Sequence, residues 1–347
     1  MKKFITVFGL LAVSALALTG CGKSKETLKI YNAGEYIDTS LISKFEKANK
    51  CKVVYETFDS NETMYTKIMS GENYDVLVPS DYMIERLIKE DKLEKIDWDK
   101  ITNKDNLNPD TLGQAYDPNQ EYAVPYFYGT VGILYDTTVV DEKDLADGWN
   151  LLNNTKYKDN IYMYDSERDS FMIALKALGY SMNTTDKSEI DQAYQWLIAQ
   201  RDSMNPIYAG DDVIDNMISG NKAMAVVYSG DGAYIMSEND KLDFFEPEEG
   251  TNTWYDAMVI MKGTKHSELA HKFINFMLDN DNAAANSAEV GYTSPVTKAY
   301  EQIKSEDYKG IDAYTPNIGN EKNEVFRYQD TEIKQYFADL WTKVKAY

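Results

Sequence analysis

Residues 28–58 read LKIYNAGEYIDTSLISKFEKANKCKVVYETF, and the fold class is decided here. Leu28-Lys29-Ile30-Tyr31 has strand character. Residues 41–48 place apolar side chains at helical spacing, and residues 51–58 carry Val53, Val54 and Tyr55 in a second strand. Strand, helix and strand in so short a span make a β-α-β unit, which predicts an α/β protein with parallel or mixed sheets.

The alternation continues outward. Ser60-Asn61-Glu62-Thr63 opens a helix through Met69, with Asp59 and Glu62 at capping-box spacing, and Gly71 stops it. Residues 74–79 form a strand and 82–89 a helix. Residues 96–121 are rich in Asn, Asp and Pro without periodicity, which predicts a long ordered loop. That loop leads through Val124-Pro125-Tyr126-Phe127-Tyr128-Gly129-Thr130 to a strand at 131–135, where a new α/β unit begins. Further strands are expected at 161–164, 223–228 and 257–261, and helices at 171–178, 190–200, 267–278 and 333–344. The 267–278 helix has Leu269, Phe273, Ile274 and Met277 on one face. There is no internal repeat.

The chain begins Met1-Lys2-Lys3 and continues with an uncharged apolar stretch from Phe4 to Leu18, too short to span a membrane but suited to a secretory signal. It closes on Leu18-Thr19-Gly20-Cys21, which resembles a lipobox. Residues 1–20 are therefore expected to be removed, Cys21 to be lipidated, and residues 21–26 to tether the protein outside the cytoplasm at the cell membrane. With Cys21 in lipid, Cys51 has no disulfide partner and is expected in the core. The net charge of −21 argues against nucleic acid or anionic lipid and for cations, although an acidic surface also serves solubility. Tyrosine numbers 27, against 12 Phe and 5 Trp, more than a core alone calls for.

In sheets of this class ligands lie beyond the carboxyl ends of strands. The segments there are Asn32-Ala33-Gly34-Glu35-Tyr36, Pro79-Ser80-Asp81-Tyr82, Asp165-Ser166-Glu167-Arg168-Asp169 and Tyr228-Ser229-Gly230-Asp231. Each sets an acid near a tyrosine. Taken singly, Glu35, Asp81 and Asp169 are acids in a first turn or loop, which the helix dipole favours on its own. Asp256, between Trp254-Tyr255 and the apolar run 257–261, is either a turn residue at a strand mouth or part of a site.

Other chemistries lack their signatures. His266 and His271 are five apart, which does not put two ligands on one helix face, and both are expected to face solvent. No phosphate loop, Gly-x-Ser-x-Gly elbow or Cys-x-x-Cys pair occurs, so no metal and no cofactor is expected. A carboxylate-pair glycoside hydrolase stays open, since acids and aromatics also build sugar clefts.

Several segments carry a resemblance: Leu28-Lys29-Ile30-Tyr31-Asn32 with Glu35-Tyr36, Ser60-Asn61-Glu62-Thr63-Met64-Tyr65, Tyr74-Asp75-Val76-Leu77-Val78-Pro79-Ser80, and Gly291-Tyr292 with Ser294-Pro295. Together with Leu178-Gly179-Tyr180-Ser181 and Ile274-Asn275-Phe276, they make the chain similar to the spermidine/putrescine-binding proteins of ABC importers. The resemblance implies a type II two-lobed periplasmic-binding-protein fold with an interlobe ligand cleft. One lobe would comprise residues 27–130 and 256–296, the other 131–255 and the C-terminal helices of 297–347. It implies a noncatalytic, monomeric receptor that passes a linear polyamine to an ABC permease; another small organic cation is the alternative ligand.

The implied site is carried over position by position. Trp254, Tyr292 and Tyr228 would wall the ligand, and Asp256 and Asp169 would meet its nitrogens. Glu35, Tyr36, Ser80 and Tyr82 match first-lobe pocket positions. Ser166, Phe326 and Asp211 are weaker candidates: Ser166 stands where an acid is frequent, Phe326 where Gln is frequent, and Asp211 offers a replacement charge. Ala33 and Tyr228 stand where the family often has Trp, which bears on the choice between diamine and triamine.

Overall fold

The computed structural model describes residues 25–34 and 36–346, so the expected signal segment, Cys21 and Glu35 lie outside the described residues. Ten strands appear among them: β1 (Thr27–Ala33), β2 (Lys52–Phe58), β3 (Val76–Leu77), β4 (Leu93–Glu94), β5 (Ala123–Asp136), β6 (Ile161–Tyr164), β7 (Ile207–Ala209), β8 (Met224–Tyr228), β9 (Leu242–Phe245) and β10 (Thr253–Met261). β2, β1 and β3 are parallel neighbours, and β10 joins antiparallel between β3 and β5. On the other side β8, β6 and β7 are parallel neighbours, with β8 and β9 both antiparallel to β5.

β5 belongs to both groups. Residues 123–130 pair with β10, and residues 131–136 pair with β8 and β9. The strand expected at 131–135 begins eight residues earlier, at Ala123, and Pro125 sits where the ladder shifts register. Asp256 faces Phe127 while Ala257 faces Pro125, so Tyr126 is an extra residue, a bulge that tolerates a proline. Asp256 is thus inside a strand that begins at Thr253, not at its mouth, and it alone of residues 253–260 is half-buried where the others are buried. Bulges re-aim side chains, and this one sits beside the acid.

Helices cover both groups of strands. The helix Thr39–Asn49 seats Leu41 and Phe45 on the first group, as its spacing predicts. Ser267–Met277 buries Leu269, Phe273, Ile274 and Met277, and each large apolar side chain so buried contributes about 1.5–3 kcal/mol. Cys51 is buried, as expected. His271 is buried rather than solvent-facing: Nε2 accepts the Asp97 backbone N–H at 2.9 Å, and Nδ1 donates to the Ser267 carbonyl at 2.7 Å. The helix Asn61–Met69 is capped by Ser60 and Thr63, whose hydroxyls each take the other's backbone N–H at 3.2 Å, not by Asp59 and Glu62. That frees Glu62 for contacts elsewhere. Below, the first unit means the helices and strands around β1–β4 and β10, and the second unit those around β6–β9.

Candidate functional site

A cleft of about 880 Å³ opens beyond the strand ends, a volume ordinary for a small organic ligand. The first unit contributes Tyr36, which follows β1, and Ser80 and Tyr82, which follow β3. β10 contributes Trp254 and Asp256. Ser166 and Asp169 follow β6, Asp211 follows β7, and Tyr228 ends β8. Tyr292 and Phe326 complete the wall. Every candidate named from sequence within the described residues therefore faces one space.

The aromatic rings form a continuous wall. Tyr36 and Tyr292 have centroids 5.6 Å apart, Tyr292 and Trp254 5.3 Å, Trp254 and Tyr228 6.0 Å, and Tyr228 and Tyr164 4.9 Å. All four contacts are edge-to-face, a geometry that holds ring orientation as well as burying area. Two glycines make room for it. A Cβ on Gly230 would come within 1.9 Å of the Tyr292 ring, and one on Gly129 within 2.5 Å of Trp254.

Along this wall each tyrosine hydroxyl is directed at a carboxylate. Tyr36 donates to Asp256 at 2.6 Å, Tyr292 to Asp231 at 2.7 Å, Tyr228 to Asp169 at 2.9 Å, and Tyr164 to Asp211 at 3.4 Å. Burial raises the carboxyls of Asp169 and Asp256 above the usual range, and hydroxyls of Ser166 and Tyr228, or of Ser80 and Tyr36, pull them partway back. Burial pushes Asp231 up to about 7, with Tyr292 opposing. The tyrosines in turn are held well above their ordinary range by burial and by the adjacent carboxylates, so they remain donors at any working pH. Negative charge is therefore concentrated where water is scarce, and a ligand cation would relieve it.

Asp81 has a different task. It is buried, accepts the backbone N–H of Tyr82 at 2.6 Å and of Tyr255 at 3.2 Å, and burial pushes it up to about 8. It ties the start of the helix Asp81–Lys89 to β10, the structural alternative left open from sequence. Ser166 likewise caps its helix, accepting the Asp169 N–H at 3.3 Å. Among the lining residues that sequence reasoning missed, three bear on the chemistry. Asp231 lay in a quoted strand end but in a helix first turn; Tyr164 is simply the last residue of β6; Arg168, between two acids, gave no signal at all. Among the described residues six acids line the cleft and Arg168 is the single base. Among the described residues no cluster of His, Cys, Asp and Glu is arranged to hold a metal ion.

Comparison with known proteins bears on this geometry. The family model for bacterial extracellular solute-binding proteins matches residues 40–313. The spermidine/putrescine-binding periplasmic protein of Salmonella typhimurium is 34% identical over 346 residues, covering 97% of each chain. The structure of the spermidine/putrescine ABC transporter substrate-binding protein PotD from Streptococcus pneumoniae superposes with a TM-score of 0.81 at 37% identity, covering 92% of this chain and 98% of that one. The Tp0655 lipoprotein of Treponema pallidum gives 0.79 at 28% identity, with 92% and 99% covered.

Proposed function

The chain belongs to the bacterial extracellular solute-binding proteins, a family of receptors with the two-lobed periplasmic-binding-protein fold, and from that premise we propose that its cleft takes up a linear polyamine of the putrescine or spermidine class for an ABC importer. The protein is a receptor, not an enzyme, which sets aside the carboxylate-pair hydrolase. One observation carries the ligand class: a file of hydroxyl-bonded carboxylates along an unbroken aromatic wall. Ammonium groups take the carboxylates, and the methylene chain between them lies on the rings.

The magnitudes are adequate. A charge-assisted hydrogen bond contributes about 1.5–3 kcal/mol and a desolvated cation over an aromatic ring about 2 kcal/mol. Micromolar affinity needs about 8 kcal/mol net of association costs, which three carboxylates and two rings reach near the upper end of these ranges, with burial of the methylene chain adding to it. Asp256 and Asp169 hold two nitrogens in this reading, and Asp231 supplies the third acid that Ser166 does not. Glu35, which the family resemblance adds to the site, assists.

The two units act as the lobes, with residues 27–130 and 256–296 forming most of one, and closure over the ligand is what the permease reads. The apolar leader and the Leu18-Thr19-Gly20-Cys21 motif support export and a lipid on Cys21, and the receptor works as a monomer at the membrane surface. Isothermal calorimetry on protein unfolded and refolded to strip carried ligand tests the ligand class. Heat is expected with at least one of putrescine, cadaverine, spermidine and spermine; no heat with any of the four refutes it.

A further inference from the structure

Besides the cleft wall, a second set of charges crosses between the units. Glu62, on the first-unit helix Asn61–Met69, accepts from Arg168 of the helix Glu167–Ala177 at 3.2 Å and from Lys334 of the helix Thr331–Lys345 at 3.1 Å. The guanidinium of Arg168 also lies over Tyr82, with its central carbon 3.3 Å from the ring centre. Both cations stand on the second unit, since the C-terminal helix packs against helices Glu167–Ala177 and Lys187–Met204.

Glu85 makes the second crossing. Its carboxylate is buried on the helix Asp81–Lys89, takes Arg327 through Nη2 at 2.7 Å and Nε at 3.0 Å, and accepts the Tyr328 N–H at 2.7 Å. Lys89 reaches it from its own helix at 3.0 Å. Arg327 is tied to the second unit through the same short strap: Glu324 bonds Lys176, the Met182 N–H at 3.0 Å and Ser181 at 2.5 Å. Phe326, which lines the cleft, lies between these two anchors. Burial works against ionising both glutamates, yet Arg168 and Lys334 hold Glu62 below its ordinary value, and Arg327, Tyr328 and Lys89 hold Glu85 down to about 2.

We propose that Glu62 and Glu85 are positioning residues that latch the two units across the mouth of the cleft and so set how fast a bound cation leaves, without touching it. The inference rests on the reading of the cleft as a ligand site between hinged units. Glu85 is the stronger half, because its own carboxylate is buried and gripped bidentately by Arg327, whereas the Glu62 carboxylate is partly solvated and screened. The latch acts on the closed state alone. It therefore slows release and leaves capture by the open state unchanged.

Stopped-flow tryptophan fluorescence, with Trp254 in the cleft wall, reads both rates for putrescine and spermidine in E62Q, E85Q, R327Q and E85Q/R327Q. Release is expected about tenfold faster in E85Q and R327Q, equivalent to about 1.4 kcal/mol, and about threefold faster in E62Q, with association within twofold of wild type. The double variant should release no faster than either single one. Release within twofold of wild type in R327Q, or full additivity in the double variant, overturns the latch; R327Q alters a half-exposed side chain and keeps the test alive should E85Q fail to fold. If wild type takes up neither amine, the ligand reading has failed separately. Urea unfolding then decides the contact itself: E85Q and R327Q should each lower stability and E85Q/R327Q by no more than the larger single loss, and full additivity refutes the latch.

Discussion

Changing Asp231 to asparagine removes charge and keeps shape, since the amide oxygen still accepts the Tyr292 hydroxyl that now bonds the carboxylate at 2.7 Å. If this acid meets a ligand nitrogen, the change removes one charge-assisted hydrogen bond, about 1.5–3 kcal/mol, or roughly 10- to 150-fold in Kd at pH 8. The pH dependence is the sharper part. Burial pushes the Asp231 carboxyl up to about 7, so it is about nine-tenths ionised at pH 8 and about one-tenth at pH 6. A cation binds the ionised form, so this group makes wild-type affinity rise roughly tenfold from pH 6 to pH 8. In D231N that increment disappears and the two Kd values converge toward acid pH. Calorimetry at pH 6, 7 and 8 in two buffers of different ionisation enthalpy measures Kd and proton release together. Wild type should release a fraction of a proton near pH 7, and D231N less. An affinity at pH 8 within twofold of wild type, or an unchanged pH slope, refutes the assignment.

Gly230→Ala places a methyl group inside the Tyr292 ring, so the ring must move and break its contact with Trp254; affinity should fall at least tenfold and stability by about 1–3 kcal/mol, read by calorimetry and urea unfolding. The ligand-free protein should lose stability as pH rises. Asp231 and Asp81, raised to about 7 and about 8 by burial, stabilise the fold fully below the unfolded value near 4, and that contribution is lost as pH passes through 7 to 8. Thermal melts from pH 5.5 to 8.5 should fall by several degrees without ligand and less with it; a rising Tm contradicts the burial of these acids. Cys21→Ser should shift the protein from the membrane fraction to the medium or periplasm, and unchanged fractionation removes the lipid anchor.

Much of the architecture was legible because it rests on local pattern. The β-α-β opening, the amphipathic face of residues 267–278 and the acids after strand ends follow from periodicity and from where loops meet helices in parallel sheets. What escaped depended on pairing at long range. Pro125 and Gly129 disguise β5 as loop, because only its partners β10 and β8 make it a strand. Asp256 looked like a strand-mouth residue since the pairing that begins at Thr253 is not written in its neighbours. Glu62 has every local mark of a capping acid, yet Ser60 and Thr63 cap the helix and Glu62 reaches 272 positions along the chain to Lys334. His271 is expected in solvent from sequence, but the Asp97 backbone N–H, which its neighbours do not foretell, and the Ser267 carbonyl satisfy both ring nitrogens and allow its burial.

The crossover in β5 has a mechanical consequence. At Thr130 and Val131 the backbone is held on all sides: the Thr130 N–H by Ser229, its carbonyl by the Trp254 indole, and the Val131 N–H by the Asn252 carbonyl. A joint bonded in this way is stiffer than a slack linker, so closure of the two units would have to be taken up as twist along β5, as in a torsion bar. The indole that walls the cleft is itself one of the clamps, so an occupant resting on Trp254 would press on the bar with almost no lever arm between them.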